Sequence, residues 1–275
     1  MNALPKFYTA LVEAKAMSSV ILLDGAMQQR WGEQLARDPD GAVSLFADYS
    51  RAAQALGPWL MTPARAARLG IDGSARGVNW LASALPMDEV REHLLLWMRG
   101  PDRTTRTWQR LADGRALTAL MSVWGHSQRT AFCQPWHAWC YADRNGMGRL
   151  LALPDKMEML TPVSTALDAA QQQRLRLATA PDRLIHELKT TVALHASIKS
   201  CRETRHATVQ AVLTQAAAAG YGAENDLGQF VVWALRTGAT AAQRCAGLAA
   251  LDKRLNGSAL AEELGADMGP EKVTL

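Results

Sequence analysis

Two histidines and two cysteines lie close together near the middle of the sequence, in a combination that can bind a metal ion. His126, Cys133, His137 and Cys140 would offer two imidazoles and two thiolates, the ligands of a tetrahedral zinc site. The spacing argues against such a site, because the cysteines lack the two-to-four-residue separation of a zinc knuckle. If residues 136–142 form a strand, alternation also directs His137 and Cys140 to opposite faces. A metal-dependent enzyme at these four residues is therefore only the alternative hypothesis.

Other patterns typical of catalysis are incomplete or missing. His186-Glu187 begins like the helix of a zinc protease, but the second histidine required four residues later is absent. The sequence has no G-x-S-x-G nucleophile motif, no G-x-x-x-x-G-K-[ST] phosphate-binding loop and no G-x-G-x-x-G after a strand. We therefore expect a protein that is not an enzyme and that uses no cofactor.

Basic residues with an interleaved tryptophan occur in one stretch, residues 99–110. This pattern is typical of proteins that bind single-stranded nucleic acid. Over the whole chain, however, 30 basic residues are balanced by 26 acidic ones, which leaves a formal charge of only +4. The threonines and Trp108 of the stretch favour a strand, and arginines on the solvent face of an edge strand discourage edge-to-edge pairing. We therefore expect no nucleic-acid partner.

The distribution of tryptophan divides the chain into two parts. Eight of the nine tryptophans precede residue 140, and alanine, leucine, glutamine and arginine dominate after about residue 160. Before that point, short apolar runs alternate with amphipathic ones, which predicts strands and covering helices. We predict an α/β lobe with a mixed sheet and flanking helices over residues 1–160, followed by an all-α lobe over residues 161–275. Pro181 and several glycines separate the predicted helices of the second lobe.

Apolar runs and capping residues predict the elements of the first lobe. Asp24 is placed to cap a helix that begins directly after it. Asp113 is placed to cap a helix over residues 115–123. A third helix is expected to begin at Pro86. Strands are expected over residues 19–23, 58–62, 78–82 and 103–111, with a hairpin over residues 136–153.

No segment of the sequence has the pattern of a membrane span or a secretion signal. The longest apolar runs, residues 20–23 and 230–235 among them, are far shorter than the roughly 20 residues of a spanning helix. Four cysteines in 275 residues do not form a disulfide framework. We therefore expect no membrane partner and a cytoplasmic location.

A series of landmarks follows in order through the first lobe. The first strand ends in Leu23-Asp24-Gly25-Ala26, and a Leu45-Phe46 segment and Gly57-Pro58-Trp59 come next. His93-Leu94 then lies in a predicted helix. The series continues with an arginine and an aspartate three residues apart and with a segment before the aromatic hairpin, namely Arg110, Asp113, Phe132 and Pro135.

The order of these landmarks resembles that of the adaptor-chaperones of bacterial type VI secretion systems, a family first catalogued as a domain of unknown function. The resemblance covers residues 18–153 and, more loosely, the helical lobe as far as Gly238. The family usually has proline after the aspartate of the Arg-Asp landmark, where this chain has Gly114. The resemblance implies a non-enzymatic cytoplasmic adaptor that binds a toxic effector protein and loads it onto the spike-tip protein VgrG.

Such a role requires two protein-binding surfaces and no reactive group. Tryptophan and arginine are frequent interface anchors, although tryptophan also fills protein cores. We expect Asp24 and Asp113 to act as structural caps and Arg110 to pair with a carboxylate near the sheet edge. The remaining motif positions, for which we expect a structural or partner-binding role, are Gly57, Pro58, Trp59, His93 and Pro135.

Overall fold

A computed structural model of the protein describes residues 18–99, 108–155, 163–188 and 202–218, together with Val231. The described strands are β1 (Ser18–Asp24), β2 (Ala42–Ser44), β3 (Pro58–Met61), β4 (Val78–Ser83), β5 (Trp136–Ala142) and β6 (Gly148–Leu150). The described helices are α1 (Gln29–Arg37), α2 (Arg51–Leu56), α3 (Pro63–Arg68), α4 (Met87–Arg99), α5 (Gly114–Val123), α6 (His126–Cys133), α7 (Ala169–Leu188) and α8 (Arg202–Ala218). The strands form one sheet in the order β2-β3-β1-β4-β5-β6.

Every strand pair described in this sheet is antiparallel. The predicted sheet with flanking helices is therefore present, but its predicted mixed character is wrong. A strand followed by a helix does not specify the direction of the next strand, which is decided by the pairing across the sheet. Here β1 lies between β3 and β4 and runs opposite to both.

The central strand β1 is buried on both faces of the sheet, as its uninterrupted apolar run predicts. Successive side chains of a strand point to opposite faces. Val20 and Leu22 accordingly pack into a core that includes residues of α4, α5 and α6. Ile21 and Leu23 pack into a second core that includes residues of α1 and α3.

Helix α4 covers the larger of these two cores with one apolar face. Val90, Leu94 and Trp97 recur at helical spacing and are buried. Asp88 and Glu89 occupy its first turn, where negative charge stabilises the positive end of the helix dipole. The helix expected to begin at Pro86 is thus present.

The strand predicted over residues 103–111 is wrong in the part that the structure describes. Residues 108–110 have no regular secondary structure, and Leu111 lies in a turn. Residues 103–107 lie outside the described residues. The N–H of Gln109 donates a hydrogen bond to the carbonyl of Met98 at 2.9 Å, and Leu111 is fully buried. The stretch therefore connects α4 to α5, and Arg110 does not lie on an edge strand.

The predicted hairpin is present as β5 and β6. Its turn is held by Asp143, whose carboxylate oxygen Oδ1 accepts hydrogen bonds from the N–H groups of Asn145 and Met147, each at 2.9 Å. Gly146 has φ +82°, a conformation that favours glycine. Burial alone would raise the pKa of Asp143, but the hydrogen bonds from Met147, Arg149 and Asn145, followed by the positive charge of Arg149, outweigh burial and hold the pKa below its usual value.

The chain divides into two compact units, Met1–Leu175 and Arg176–Leu275, so the division falls inside α7. The predicted domain boundary between residues 160 and 161 stays a prediction. Later in the chain the described elements are helical, as expected, but α7 continues through Pro181, where a break was expected. The helices predicted beyond residue 218 lie outside the described residues, apart from Val231, which is helical.

Candidate functional site

The motif residue Asp24 ends β1 and buries its carboxylate, which is 7% exposed. The guanidinium of Arg110 donates a hydrogen bond to Oδ2 at 2.7 Å, and the backbone N–H of Met27 donates to Oδ1 at 3.0 Å. The helix predicted directly after Asp24 is wrong, since residues 25–27 form a turn and α1 begins only at Gln29. The carboxylate holds this turn instead of capping a helix. A buried carboxylate needs a charged or hydrogen-bonding partner, which Arg110 supplies.

The motif residue Asp113 is the N-cap of α5, as the sequence predicts. Its Oδ1 accepts a hydrogen bond from the backbone N–H of Arg115 at 3.0 Å. The Arg115 side chain binds both carboxylate oxygens, at 3.0 Å through Nε and at 2.8 Å through Nη2. Arg110 Nη1 lies 3.8 Å from Oδ2. Arg110 therefore lies between two buried aspartates, and we call Asp24, Arg110, Asp113 and Arg115 the carboxylate–arginine cluster.

The charge of Asp113 is stabilised by its surroundings. Burial alone would raise the pKa of this carboxyl, because a charged group loses hydration there. Hydrogen bonds from Arg115, followed by the positive charges of Arg115 and Arg110, outweigh that effect and hold the pKa below its usual value. The arginines of the cluster thus stabilise the ionised form of Asp113.

Asn79 connects this cluster to the sheet, although no motif indicated it. Its side-chain amide donates a hydrogen bond to the carbonyl of Ala112 at 2.7 Å, and its Oδ1 accepts one from Nε1 of Trp139 at 3.1 Å. Asn79 is only 1% exposed. The sequence pattern that could have indicated this role is an asparagine inside an otherwise apolar strand, because a buried side-chain amide must have hydrogen-bond partners. It joins β4 and β5 to the turn before α5.

The Gly57-Pro58-Trp59 landmark packs against two other landmarks. The carbonyl of Gly57 accepts a hydrogen bond from the N–H of Gly25 at 3.0 Å. A Cβ atom on Gly57 would lie 2.6 Å from the ring of Phe46, so only glycine permits this approach. Pro58 and Trp59 begin β3 and are buried. These residues therefore position the loops around the end of β1.

His93 is a half-buried contact of the aromatic core, and Pro135 is a half-buried residue directly before β5. Nε2 of His93 lies 2.9 Å from the carbonyl oxygen of Phe132, and the His93 ring packs edge-on against Trp136 with centroids 5.5 Å apart. Burial lowers the pKa of His93, since the charged imidazolium would lose its hydration, and the Phe132 carbonyl offsets part of this effect. The carbonyl of Pro135 accepts a hydrogen bond from the Ser83 hydroxyl at 2.9 Å. Both positions tie the hairpin to its neighbours.

The four residues of the alternative hypothesis do not form a metal site. In the described ranges no three or more His, Cys, Asp or Glu side chains are grouped so that they could hold a metal ion. His126 is exposed at the start of α6, and His137 is half-buried on β5. Cys133 and Cys140 are buried, which raises their pKa values to about 12 and about 11. Both thiols are therefore protonated at neutral pH in the metal-free protein.

Most of the described tryptophans are core residues rather than surface anchors. The buried ones are Trp59, Trp97, Trp124, Trp136 and Trp139. Trp108 is half-buried, and its ring centroid lies 4.5 Å from that of Phe46 and 6.0 Å from that of Tyr49. The guanidinium carbon of Arg99 lies 4.9 Å from the centre of the Trp108 ring. Because Tyr49 is 46% exposed, these four residues form a surface, which we call the aromatic patch.

Residues 21–131 match the model of a family described as Domain of unknown function (DUF4123). The matched segment is less than half of the 275 residues and contains the whole carboxylate–arginine cluster. Pro135 lies beyond it. No curated protein and no solved structure matches the chain. Among the described helices, none combines the length and the hydropathy needed to cross a membrane.

Proposed function

We propose that the protein is an adaptor that binds a toxic effector protein in the cytoplasm and loads it onto the VgrG spike protein of a type VI secretion system. The observation that carries this proposal is the meeting of Asp24, Arg110 and Asp113 in one cluster. These are motif positions of the adaptor-chaperone family that the sequence resembles, and all three lie in the segment that matches the domain of unknown function. The three residues that carry part of the sequence resemblance therefore also lie together in the fold of this chain.

The chemistry of the cluster favours a structural role in a binding protein over a role in catalysis. Each buried carboxylate is neutralised by an arginine at 2.7 or 2.8 Å, so its charge is used within the protein. A general base or nucleophile instead has a proton-accepting group poised towards a substrate. We therefore propose that the cluster holds β1 and α5 in place and that the adaptor acts without catalysis.

The aromatic patch is the surface on which we place one of the two partners. Tyrosine, tryptophan and arginine are enriched among the residues that dominate the binding energy of protein interfaces. The two aromatic residues bury large rigid areas at low entropic cost. Arg99 is fixed over Trp108 and also lies 3.4 Å from a carboxylate oxygen of Asp48. The patch is therefore partly ordered before a partner binds, which lowers the cost of association.

Co-expression of the tagged protein with a VgrG protein and a candidate effector protein from the same organism tests the proposal. We expect all three proteins to elute as one complex in size-exclusion chromatography, and the effector to be less soluble when the adaptor is omitted. Recovery of neither partner, with the adaptor shown to be folded by circular dichroism, would overturn the proposal.

A substitution in the aromatic patch tests whether that surface binds a partner protein. Tyr49→Asp places a charge at a position that is 46% exposed, so we expect the fold to be retained, which circular dichroism checks, and the contact with the partner to be weakened. We expect at least tenfold weaker binding of one partner and unchanged binding of the other. Leu177→Asp, at a similarly exposed apolar position in α7, is the matched control. Equal binding of both partners by the two variants would remove the patch from the proposal.

A further inference from the structure

A groove of about 490 Å³ lies beside the hairpin, and none of the motif positions is among the described residues that line it. Its volume is in the range of ligand-binding clefts. Part of its lining comes from residues 150–154, which continue the chain from β6, and Tyr141 of β5 contributes beside them. The rest comes from Thr118, Met121 and Ser122 of α5 and from His126 and Arg129 of α6.

The strand beside this groove lies at the edge of the described sheet. β6 is last in the strand order and pairs with β5. All three of its residues are exposed, and Leu150 is 44% exposed. An edge strand presents backbone N–H and C=O groups that a further strand can pair with. A bound segment could therefore pair its backbone with β6 and place its side chains in the groove.

The lining has a definite chemical character. Met121, Leu150 and Leu153 contribute apolar surface, whereas His126 and Arg129 are basic. None of the described lining residues is Asp or Glu.

The two hydroxyls of α5 in the groove are already satisfied. Thr118 donates a hydrogen bond to the carbonyl of Gly114 at 2.9 Å, and Ser122 donates to that of Ala119 at 2.7 Å. An occupant consequently needs apolar side chains and a negative charge, and it gains little from polar groups opposite α5.

We propose that this groove binds an extended segment of the effector. The segment adds to β6 as a further strand, places apolar side chains in the groove and pairs an acidic side chain with Arg129. Residues 150–154 set its length at about five residues, or about 16 Å at the usual rise of a strand. This inference rests on the proposed function, because it specifies how the adaptor holds its effector.

Two substitutions in the groove test the inference. Leu150→Asp puts a negative charge where apolar contact is expected, and Arg129→Glu reverses the charge that would pair with the acidic side chain. We expect both variants of the full-length protein to bind the co-expressed effector at least tenfold more weakly and to retain VgrG. Arg129→Gln is expected to have a smaller effect. Leu177→Asp and Arg37→Glu make the same chemical changes at exposed positions outside the groove lining and are expected to bind like the wild type.

The outcomes separate this inference from the proposed function. If the wild type binds neither effector nor VgrG, the proposed function fails and the inference fails with it. If the wild type binds both and the groove variants bind the effector equally well, the inference alone is overturned. Loss of VgrG in place of the effector, or loss of a homodimer of this chain, would assign the groove to a different occupant and also overturn it.

Hydrogen exchange on the complex gives a second readout that does not depend on variants. Addition of a strand to β6 gives its outward-facing backbone amides hydrogen-bond partners and thereby slows their exchange. We expect slower exchange across residues 148–153 when the effector is bound. Unchanged exchange there in a complex that contains the effector would contradict the added strand.

Discussion

Arg110 donates a hydrogen bond to the carboxylate of Asp24 at 2.7 Å, although 86 residues separate them in the chain. The arginine side chain is 48% exposed, whereas the aspartate is almost fully buried. The contact joins the end of β1 to the turn that leads into α5, and Asp113 in the same turn lies within 3.8 Å of the arginine. The arginine thus stabilises two buried charges from the surface.

Removal of this arginine is expected to destabilise the fold. Arg110→Met leaves the Asp24 carboxylate buried without its cation, and we expect a loss of about 2 kcal/mol in the free energy of unfolding, below the usual range for buried pairs because Arg110 is half exposed. The shift of the urea midpoint at constant m-value measures it. Arg37→Met removes an exposed ion pair with Glu33 and is expected to change stability by less than about 0.5 kcal/mol. Equal effects of the two variants would contradict the prediction.

Gly114 is expected to be required because of Tyr141. A Cβ atom on Gly114 would lie 2.5 Å from Cδ2 of the Tyr141 ring. Gly114→Ala is therefore expected to cost about 1–3 kcal/mol, the usual range for overpacking, despite the better helix propensity of alanine. Proline, the residue usual here in the family that the sequence resembles, would meet the same ring.

A double-mutant cycle checks this explanation for Gly114. If the clash is the cause, the Gly114→Ala substitution costs less stability in a Tyr141→Leu background, where the ring is absent. The free energies of unfolding of the four proteins give the coupling energy directly. Strictly additive effects would show that the clash with the ring is not the cause.

The burial of His93 predicts a dependence of stability on pH. The pKa of His93 in the folded protein lies below the ordinary value of 6.5. As the pH falls through 6.5, the unfolded state therefore takes up a proton on this histidine before the folded state does, and the proton uptake favours unfolding. The free energy of unfolding should therefore decrease between about pH 7.5 and about pH 5.5. In His93→Phe the slope over this range should be flatter, whatever the absolute loss of stability. An unchanged slope would exclude His93 as the source.

Cys133 and Cys140 are expected to be unreactive in the folded protein. Burial raises their pKa values to about 12 and about 11, so the nucleophilic thiolate is rare at neutral pH. Peptide mass spectrometry after brief iodoacetamide treatment should find both residues unlabelled in native protein and labelled in denaturant. Labelling of the native protein at the denatured rate would show that the two sites are accessible.

The elements that depend on neighbouring residues could be predicted from the sequence. Asp113 caps α5 because its side chain reaches an N–H two residues later, and the β5–β6 turn forms because Asp143 and Gly146 satisfy it locally. The buried character of β1 follows from an apolar run that has no polar residue to face solvent. These features involve contacts within a few residues, which a sequence pattern records directly.

The cluster and the groove depend on contacts between distant parts of the chain. The sequence shows that Asp24 and Arg110 are charged, but it does not show that they meet. They meet because β1 pairs with β4 and because Asn79 of β4 is hydrogen-bonded to the turn before α5. These two contacts bring the turn that contains Arg110 to the end of β1. Strand direction was misjudged for the same reason, because the local pattern is identical for parallel and antiparallel neighbours. The sequence by itself determined β1, β3, β4, the β5–β6 hairpin, the Asp113 cap and the family resemblance, whereas the helix expected after Asp24 and the strand expected over residues 103–111 were wrong. The tertiary structure decided which charges pair, which tryptophans are buried and where a groove opens, because these depend on the free energy of burying surfaces that meet only in the folded chain.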